Sequence, residues 1–456
     1  MARLGSPYKK QKSVPMARRP FALAALPVVL LALSSCAGAD QSQGGRSGGT
    51  GGGRSAPGMA PVSPIAPAAA LSPAAEQAAF AQWLVGMRAE ALAAGISRAT
   101  VDSALGRARI EPRIVALDRK QPEFNKTLAG YFASTLPDSR IAKAREMMAL
   151  QAPLLRSLEQ RYGVPGRFLV AFWGLETNFG GTLGSFRVVD ALSTLAFEGR
   201  RGTFFKAQLL DALRIIDAGH VSADAMIGSW AGAMGQTQFM PSTFRAHAVD
   251  YDGDGRIDIW GSLPDALASA AKYLSDLGWK GAEPWGWEVV LPAGLDLARV
   301  GLEERRPLAD WAALGLRGAD GRALGAGARP GATAALLLPA GYRGPAFLVT
   351  DNYFAILKWN RSMLYALAVG LLADRAAGGG PLVHPPPADE APLRSADVAE
   401  IQSRLSALGY DAGAADGVVG TQTRVAIRAY QANVGAPADG YANDALLADL
   451  RRRGGR

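Results

Sequence analysis

An apolar run, Phe168-Leu-Val-Ala-Phe-Trp-Gly-Leu175, ends in Glu176 and passes at once into Thr177-Asn178-Phe179-Gly180-Gly181. Such a run followed by glycine predicts a helix that stops in a loop, with the acid at the junction. Partial burial there favours the protonated carboxyl, and a carboxyl that keeps its proton near neutrality can act as general acid on a glycosidic oxygen. Few other groups compete for a chemical role. One cysteine (Cys36) and three histidines (His220, His247, His384) are scattered over 456 residues, which excludes an internal disulfide framework and a Cys/His zinc cluster. A Ser-His-Asp triad has few candidates, so carboxylates are the chemistry left. Downstream, residues 228–244 read GSWAGAMGQTQFMPSTF. The small residues let segments approach closely, while Ser229, Gln236, Gln238 and Ser242 supply uncharged hydrogen bonds. A sugar groove needs such groups beside aromatic platforms, although a tightly packed Gly/Ala turn has the same composition. Neither motif holds a second Asp or Glu; Asp190 is the nearest downstream acid.

A second cluster suits a cation. Asp250, Asp252, Asp254, Gly255, Arg256 and Asp258 follow EF-hand spacing, with Arg256 at the position that offers its backbone carbonyl. Gly261 stands where the bidentate Glu usually closes the loop, and Asp265 could close a longer one. The expectation is a structural Ca²⁺ site, the alternative a solvated Asp-rich turn. The loop supplies no nucleophile, so no cofactor is expected for catalysis.

These groups need a scaffold, and 49% apolar against 20% charged residues allows a sizeable core. Residues 76–280 read as mainly helical, with Phe80, Trp83, Leu84 and Met87 at helical spacing and Ile141–Tyr162 as a second strong stretch. Trp287–Leu291 and Ala334–Leu338 are β-like runs, 352–373 returns to helix, and 376–392 reads as a stiff polar linker. Residues 393–452 form a separate small helical unit. In it Ala415-Asp416-Gly417 and Ala438-Asp439-Gly440 recur as turns.

The N-terminus reads as an address. Arg18-Arg19 precede a short apolar run and Leu33-Ser34-Ser35-Cys36, which resembles a bacterial lipobox; Met16 begins a compact signal of its own. Residues 1–35 are thus expected to be a lipoprotein signal peptide, Cys36 the acylated residue, and 36–75 a Gly/Ser/Pro tether. Ala37 after the cysteine implies the periplasmic side of the outer membrane. The net charge of +9 falls to +3 without residues 1–35, so a phosphate-binding patch and nucleic acid are not expected.

Two resemblances carry the reading further. Leu408-Gly409-Tyr410, Asp416-Gly417, Gly420, Thr423, Ile427, Tyr430-Gln431, Gly435 and Asp439-Gly440 resemble the peptidoglycan-binding-domain-one family. Asp118–Phe124 (DRKQPEF), Glu176–Gly180 and Ala231–Phe244 resemble the membrane-bound lytic murein transglycosylase B family, over about residues 77–374. The second resemblance implies a mainly α protein: a lysozyme-like α domain with a small β insertion, at 76–375, followed by the three-helix module. It implies cleavage of the MurNAc-β-1,4-GlcNAc bond of peptidoglycan without water, leaving 1,6-anhydro-MurNAc, with Glu176 as single acid/base. It also implies substrate contacts from Ser229, Gln238, Tyr273, Asn360, Tyr365, Arg200, Arg201, Tyr131 and Trp359, the last standing where a related enzyme has Tyr. Peptidoglycan strands are the expected partner, with the membrane reached through the lipid anchor. A muramidase using water and a catalytically silent scaffold are the alternatives.

Overall fold

The computed structural model describes residues 72–119, 126–297 and 300–454. The signal segment, Cys36, nearly all of the tether and most of the Asp118–Phe124 stretch lie outside them. The chain is mainly helical, with a five-stranded sheet inserted before the last helices of the large domain.

The organising element is helix Gly166–Thr177, in which ten of twelve residues are buried. A helix apolar on every face must be surrounded, and helices Asp138–Leu150, Ala152–Tyr162, Leu263–Asp276 and Met363–Ala376 pack around it. Two expected continuous helices are each broken in two. The Ile141–Tyr162 stretch breaks at Gln151, because Pro153 lacks an N–H and fits only the first turn of a new helix. The 352–373 stretch breaks after Trp359. There Asn360 adopts extended backbone and its Oδ1 accepts the Ser362 amide, while Ser362 caps the next helix by accepting the Tyr365 amide.

The sheet is antiparallel, in the order Arg305–Pro307, Thr333–Leu337, Ala346–Val349, Gly286–Val290, Arg317–Gly318. Its residues alternate between two cores. Ala335, Leu337, Phe347 and Val349 face the helical domain, while Ala334, Leu336, Ala346 and Leu348 face a small second core around Trp311. Burial on both faces explains the unbroken apolar runs in sequence. Trp285 lies flat on helix Met363–Ala376 only because residue 370 is glycine: a Cβ there would stand 2.3 Å from the indole.

The C-terminal unit has helices Ser395–Ala407, Thr421–Asn433 and Asp444–Arg453 around Ile401, Leu405, Ile427, Tyr430 and Leu450. Each repeated Asp-Gly turn is clasped by a helical glutamine in the same way. Gln402 donates to Asp416 and accepts the Gly417 amide; Gln431 donates to Asp439 and accepts the Gly440 amide. This unit was expected to stand apart, but it is docked on the β region. Arg428 donates to the Val300 carbonyl at 2.6 Å, and Asp439 accepts the Tyr342 amide at 2.9 Å. The preceding linker is pinned as well: Val383 and His384 donate their amides to the Glu288 carboxylate at 2.8 and 2.7 Å, and Arg343 pairs with Asp389 at 2.9 Å.

Candidate active site

Glu176 sits in the last turn of the buried helix. The chain leaves that helix through three successive left-handed residues, Asn178, Phe179 and Gly180. Left-handed backbone costs a side-chain-bearing residue roughly 1–2 kcal/mol, so packing has to hold it. The Phe179 ring lies against the helix where residue 174 is glycine, and meets Trp173 edge-on at 5.6 Å. Thr177 adds a clasp: its hydroxyl donates to the Gln236 carbonyl at 2.7 Å and accepts the Gly180 amide. Trp173 in turn donates to Gln236 Oε1 at 2.9 Å. The reversal that presents Glu176 is thereby tied to the 228–244 segment.

That segment folds as a compact loop. The Ser229 amide donates to the Ala233 carbonyl, Met234 and Phe239 exchange backbone bonds, and Gly232 and Gly235 press against Leu192 and Ile259 where a Cβ would not fit. Gln238 is also left-handed, with φ of 52°, and its amide donates to the Leu183 and Gly235 carbonyls.

An open cleft of about 190 Å³ lies over Glu176, lined also by Gln238, Tyr273, Trp359 and Asn360. Trp359 Nε1 and the Tyr365 hydroxyl both donate to Glu176 Oε1, at 3.0 and 2.5 Å. Tyr365 is fully buried, and burial together with the neighbouring Glu176 charge pushes its phenol well above the usual value. It therefore remains a proton donor across the neutral range. Tyr131 lies near it on helix Leu128–Thr135, close enough to raise the same phenol further. Trp359 is only 8% exposed, held between Phe172, Tyr273 and Phe239 at 4.5, 5.1 and 5.5 Å between ring centres. Tyr273 is backed in turn by His247 at 4.5 Å, which pairs with Asp276.

The structure thus brings Glu176, Gln238, Tyr273, Trp359 and Asn360 onto one cleft, with Tyr365 buried beneath the carboxyl rather than open to a ligand. Ser229 is not among the residues lining this volume; its hydroxyl accepts the Ala233 amide. Arg200 and Arg201 are also absent from the lining and clamp the buried Asp118, with Arg201 stacked on Phe205. Asp190 lies in a different hollow, beside Arg107 and Asp224, where it pairs with Arg187 at 3.0 Å and accepts the Arg109 amide. Among the described residues lining the cleft, Glu176 is the only carboxyl. The indole donor at Trp359 had no signal in the sequence beyond residue type.

In the Asp-rich loop, carboxylate oxygens of Asp250, Asp252 and Asp254 lie within 4.8 Å of one another. Gly253 and Gly255, both left-handed, turn their amides onto Asp250. Arg256 reaches Asp258 rather than this trio. Asp265 closes the loop differently from expectation: wholly buried, it accepts the amides of Tyr251 and Asp258 at 2.7 and 2.8 Å. Asp258 accepts the Trp260 and Gly261 amides. Three converging carboxylates with no cationic side chain among them fit a hard cation.

The family model of the transglycosylase SLT domain matches residues 79–374, spanning every residue of the cleft. The chain belongs to that family. A peptidoglycan binding domain model matches residues 394–450 of this SLT-domain protein. Its catalytic-domain relatives include the membrane-bound lytic murein transglycosylase B of Escherichia coli K12, 33% identical over 231 residues. The match covers 48% of this chain and 58% of that protein, under two thirds of its length. Among solved structures, SltB3 from Pseudomonas aeruginosa in complex with NAG-anhNAM-pentapeptide is 49% identical with a TM-score of 0.79, covering 82% of this chain and 99% of its own. The Escherichia coli lytic transglycosylase Slt35 in complex with calcium is 29% identical with a TM-score of 0.55, covering 66% and 94%.

Proposed function

We propose that this protein is a lytic transglycosylase that cleaves the MurNAc-β-1,4-GlcNAc bond of peptidoglycan and closes the product to 1,6-anhydro-MurNAc. The observation that carries the reading is the solitary carboxyl of the cleft, Glu176. Two-carboxylate glycosidases need a partner at about 5–5.5 Å or about 6.5–9.5 Å to attack or to activate water. With one carboxyl, the same group serves twice. Glu176 gives its proton to the leaving oxygen as the C1–O bond breaks. Positive charge develops at C1, where the substrate's own N-acetyl oxygen stabilises it. Glu176 then takes the proton from the C6 hydroxyl as O6 bonds to C1. No water is consumed, and the carboxyl ends as it began. A hydroxyl tethered to the reacting ring has an effective molarity that bulk water does not match where no carboxylate positions it. The structural relative bound to NAG-anhNAM-pentapeptide supports this product class.

The remaining assignments are parts of the same proposal. Gln238, Tyr273, Asn360 and Trp359 contact the sugar; Asp250, Asp252 and Asp254 hold a structural Ca²⁺ of the kind bound to a relative; the C-terminal module binds glycan strands; and Cys36 anchors the chain at the outer membrane. The test is mass spectrometry of fragments released from purified sacculi. The expected fragments end in anhydro-MurNAc, one water lighter than reducing-end fragments. Reducing-end MurNAc as main product would make the protein a muramidase.

A further inference from the structure

We propose that Trp359 is a positioning residue that selects which oxygen of Glu176 carries the transferable proton. The inference rests on the acid/base reading of Glu176 and adds a role for a residue so far treated as a sugar platform. Both donors, Trp359 Nε1 and Tyr365 OH, converge on the same oxygen, Oε1. An indole N–H can donate but never accept. A tyrosine hydroxyl at residue 359 could reverse and accept from a protonated Oε1; the indole forbids that arrangement. Only the Tyr365 hydroxyl could reverse, and a proton on Oε1 would then weaken the acceptor of an indole that cannot turn away; the arrangement that keeps both donors satisfied has Oε1 as the acceptor and the transferable proton on Oε2. The indole is in turn immobilised by Phe172, Phe239 and Tyr273, so the oxygen it marks does not change during turnover. A single side chain thus provides the cleft wall and the fixed donor.

The sign of the effect on pH dependence follows. A donor to a carboxylate favours the charged form. Removing the indole N–H makes Glu176 hold its proton to higher pH, which moves the alkaline limb of the kcat profile upward. The other ionisable groups facing the site are unchanged by that substitution: Tyr365 and Tyr131 near the carboxyl, Tyr273 against the Trp359 ring with His247 behind it, and Lys358 and Arg361 at the helix break.

Trp359→Phe keeps an aromatic ring against its three neighbours and deletes the donor. On a soluble glycan substrate the expected result is a kcat lower by about tenfold or more, the loss appropriate to a hydrogen bond to a charged group. KM stays within about twofold, and the alkaline limb lies at higher pH. Trp359→Tyr, which restores a donor able to reverse, recovers only part of kcat. Phe168→Leu, on the same helix as Glu176 but packed against Trp279 rather than Trp359, serves as the packing control: it lowers Tm and leaves the limb in place. Wild-type kcat and limb in Trp359→Phe would overturn the proposal, as would changes confined to KM and Tm. A second measurement works without turnover. Tryptophan emission of the wild-type protein is titrated with pH against Glu176→Gln; the wild type is expected to show one titrating component that the variant lacks, beyond that of Trp285 on Asp374 present in both. Identical titrations would overturn the contact itself. Loss of the product assignment with this difference intact would instead point to failure of the acid/base reading.

Discussion

At the scale of single residues, Glu176→Gln is the decisive substitution. Gln is nearly isosteric and its carbonyl can still accept from Trp359 and Tyr365, so the fold and sugar binding should persist. It cannot release and recover a proton. General acid–base catalysis is worth about 10²–10⁴-fold, and here both halves of the reaction use one group. We expect kcat to fall by about 10⁴-fold with Tm unchanged. Near-normal turnover, or an equal loss on replacing Asp190, would refute the single-carboxyl mechanism. Glu176 was legible in sequence because its signal is local, an apolar run ending in an acid and glycines. The donors on it were not, because they lie 183 and 189 residues away along the chain and meet it only through packing. The Arg200–Arg201 pair misleads for a related reason: its partner, Asp118, is buried far upstream and leaves no mark beside the arginines.

At the scale of elements, the Asp-rich loop makes its own prediction. Three exposed carboxylates in close approach repel one another until a cation enters. A cation bound by the native state alone stabilises it by mass action, about 2.7 kcal/mol at a hundredfold excess over Kd. Added Ca²⁺ should therefore raise Tm and EDTA lower it, while Asp252→Asn should abolish the difference and leave turnover at saturating substrate unchanged. A Tm insensitive to both additions would reduce the loop to a turn. The loop's first half was readable from spacing, since ligand positions recur locally. Asp265 was legible as the residue to close the loop, but its manner of closure was not: it serves through backbone amides, which carry no residue-type signature. The helices show the same contrast. The break at Gln151 has a residue-type signal in Pro153 that the reading of Ile141–Tyr162 as one stretch passes over, whereas the break at Asn360 depends on a side chain folding back on its own backbone and leaves the apolar periodicity intact. That unannounced break is what brings Trp359 and Asn360 to the cleft.

At the scale of the whole molecule, the docked module and the N-terminal segment make separable predictions. Arg428 and Asp439 tie the module to the Val300 carbonyl and the Tyr342 amide. Arg428→Ala with Arg343→Ala should loosen it, seen as a larger radius of gyration in small-angle scattering and as a second, lower melting transition. An unchanged scattering profile would mean that these two arginines do not hold the module in place. The docking was not legible in sequence, because half of each of the Arg428 and Asp439 contacts is a main-chain group. Cys36→Ala should shift the protein from the membrane to the soluble periplasmic fraction; unaltered fractionation would remove the anchor from the proposal. Among the described residues no helix is long and apolar enough to cross a membrane.

The pinned linker has a further consequence. A module on a slack leash can grip any strand within reach, and its second grip weakens as the leash lengthens. With Glu288 holding Val383 and His384, and the module seated on the sheet, there is no slack to take up. Two gripping surfaces in a fixed frame act as a caliper. They engage together only those stretches of a polymer mesh whose spacing matches the frame, and they do so without losing further chain entropy. The mesh itself, through its local spacing, would then decide where the enzyme stays long enough to cut.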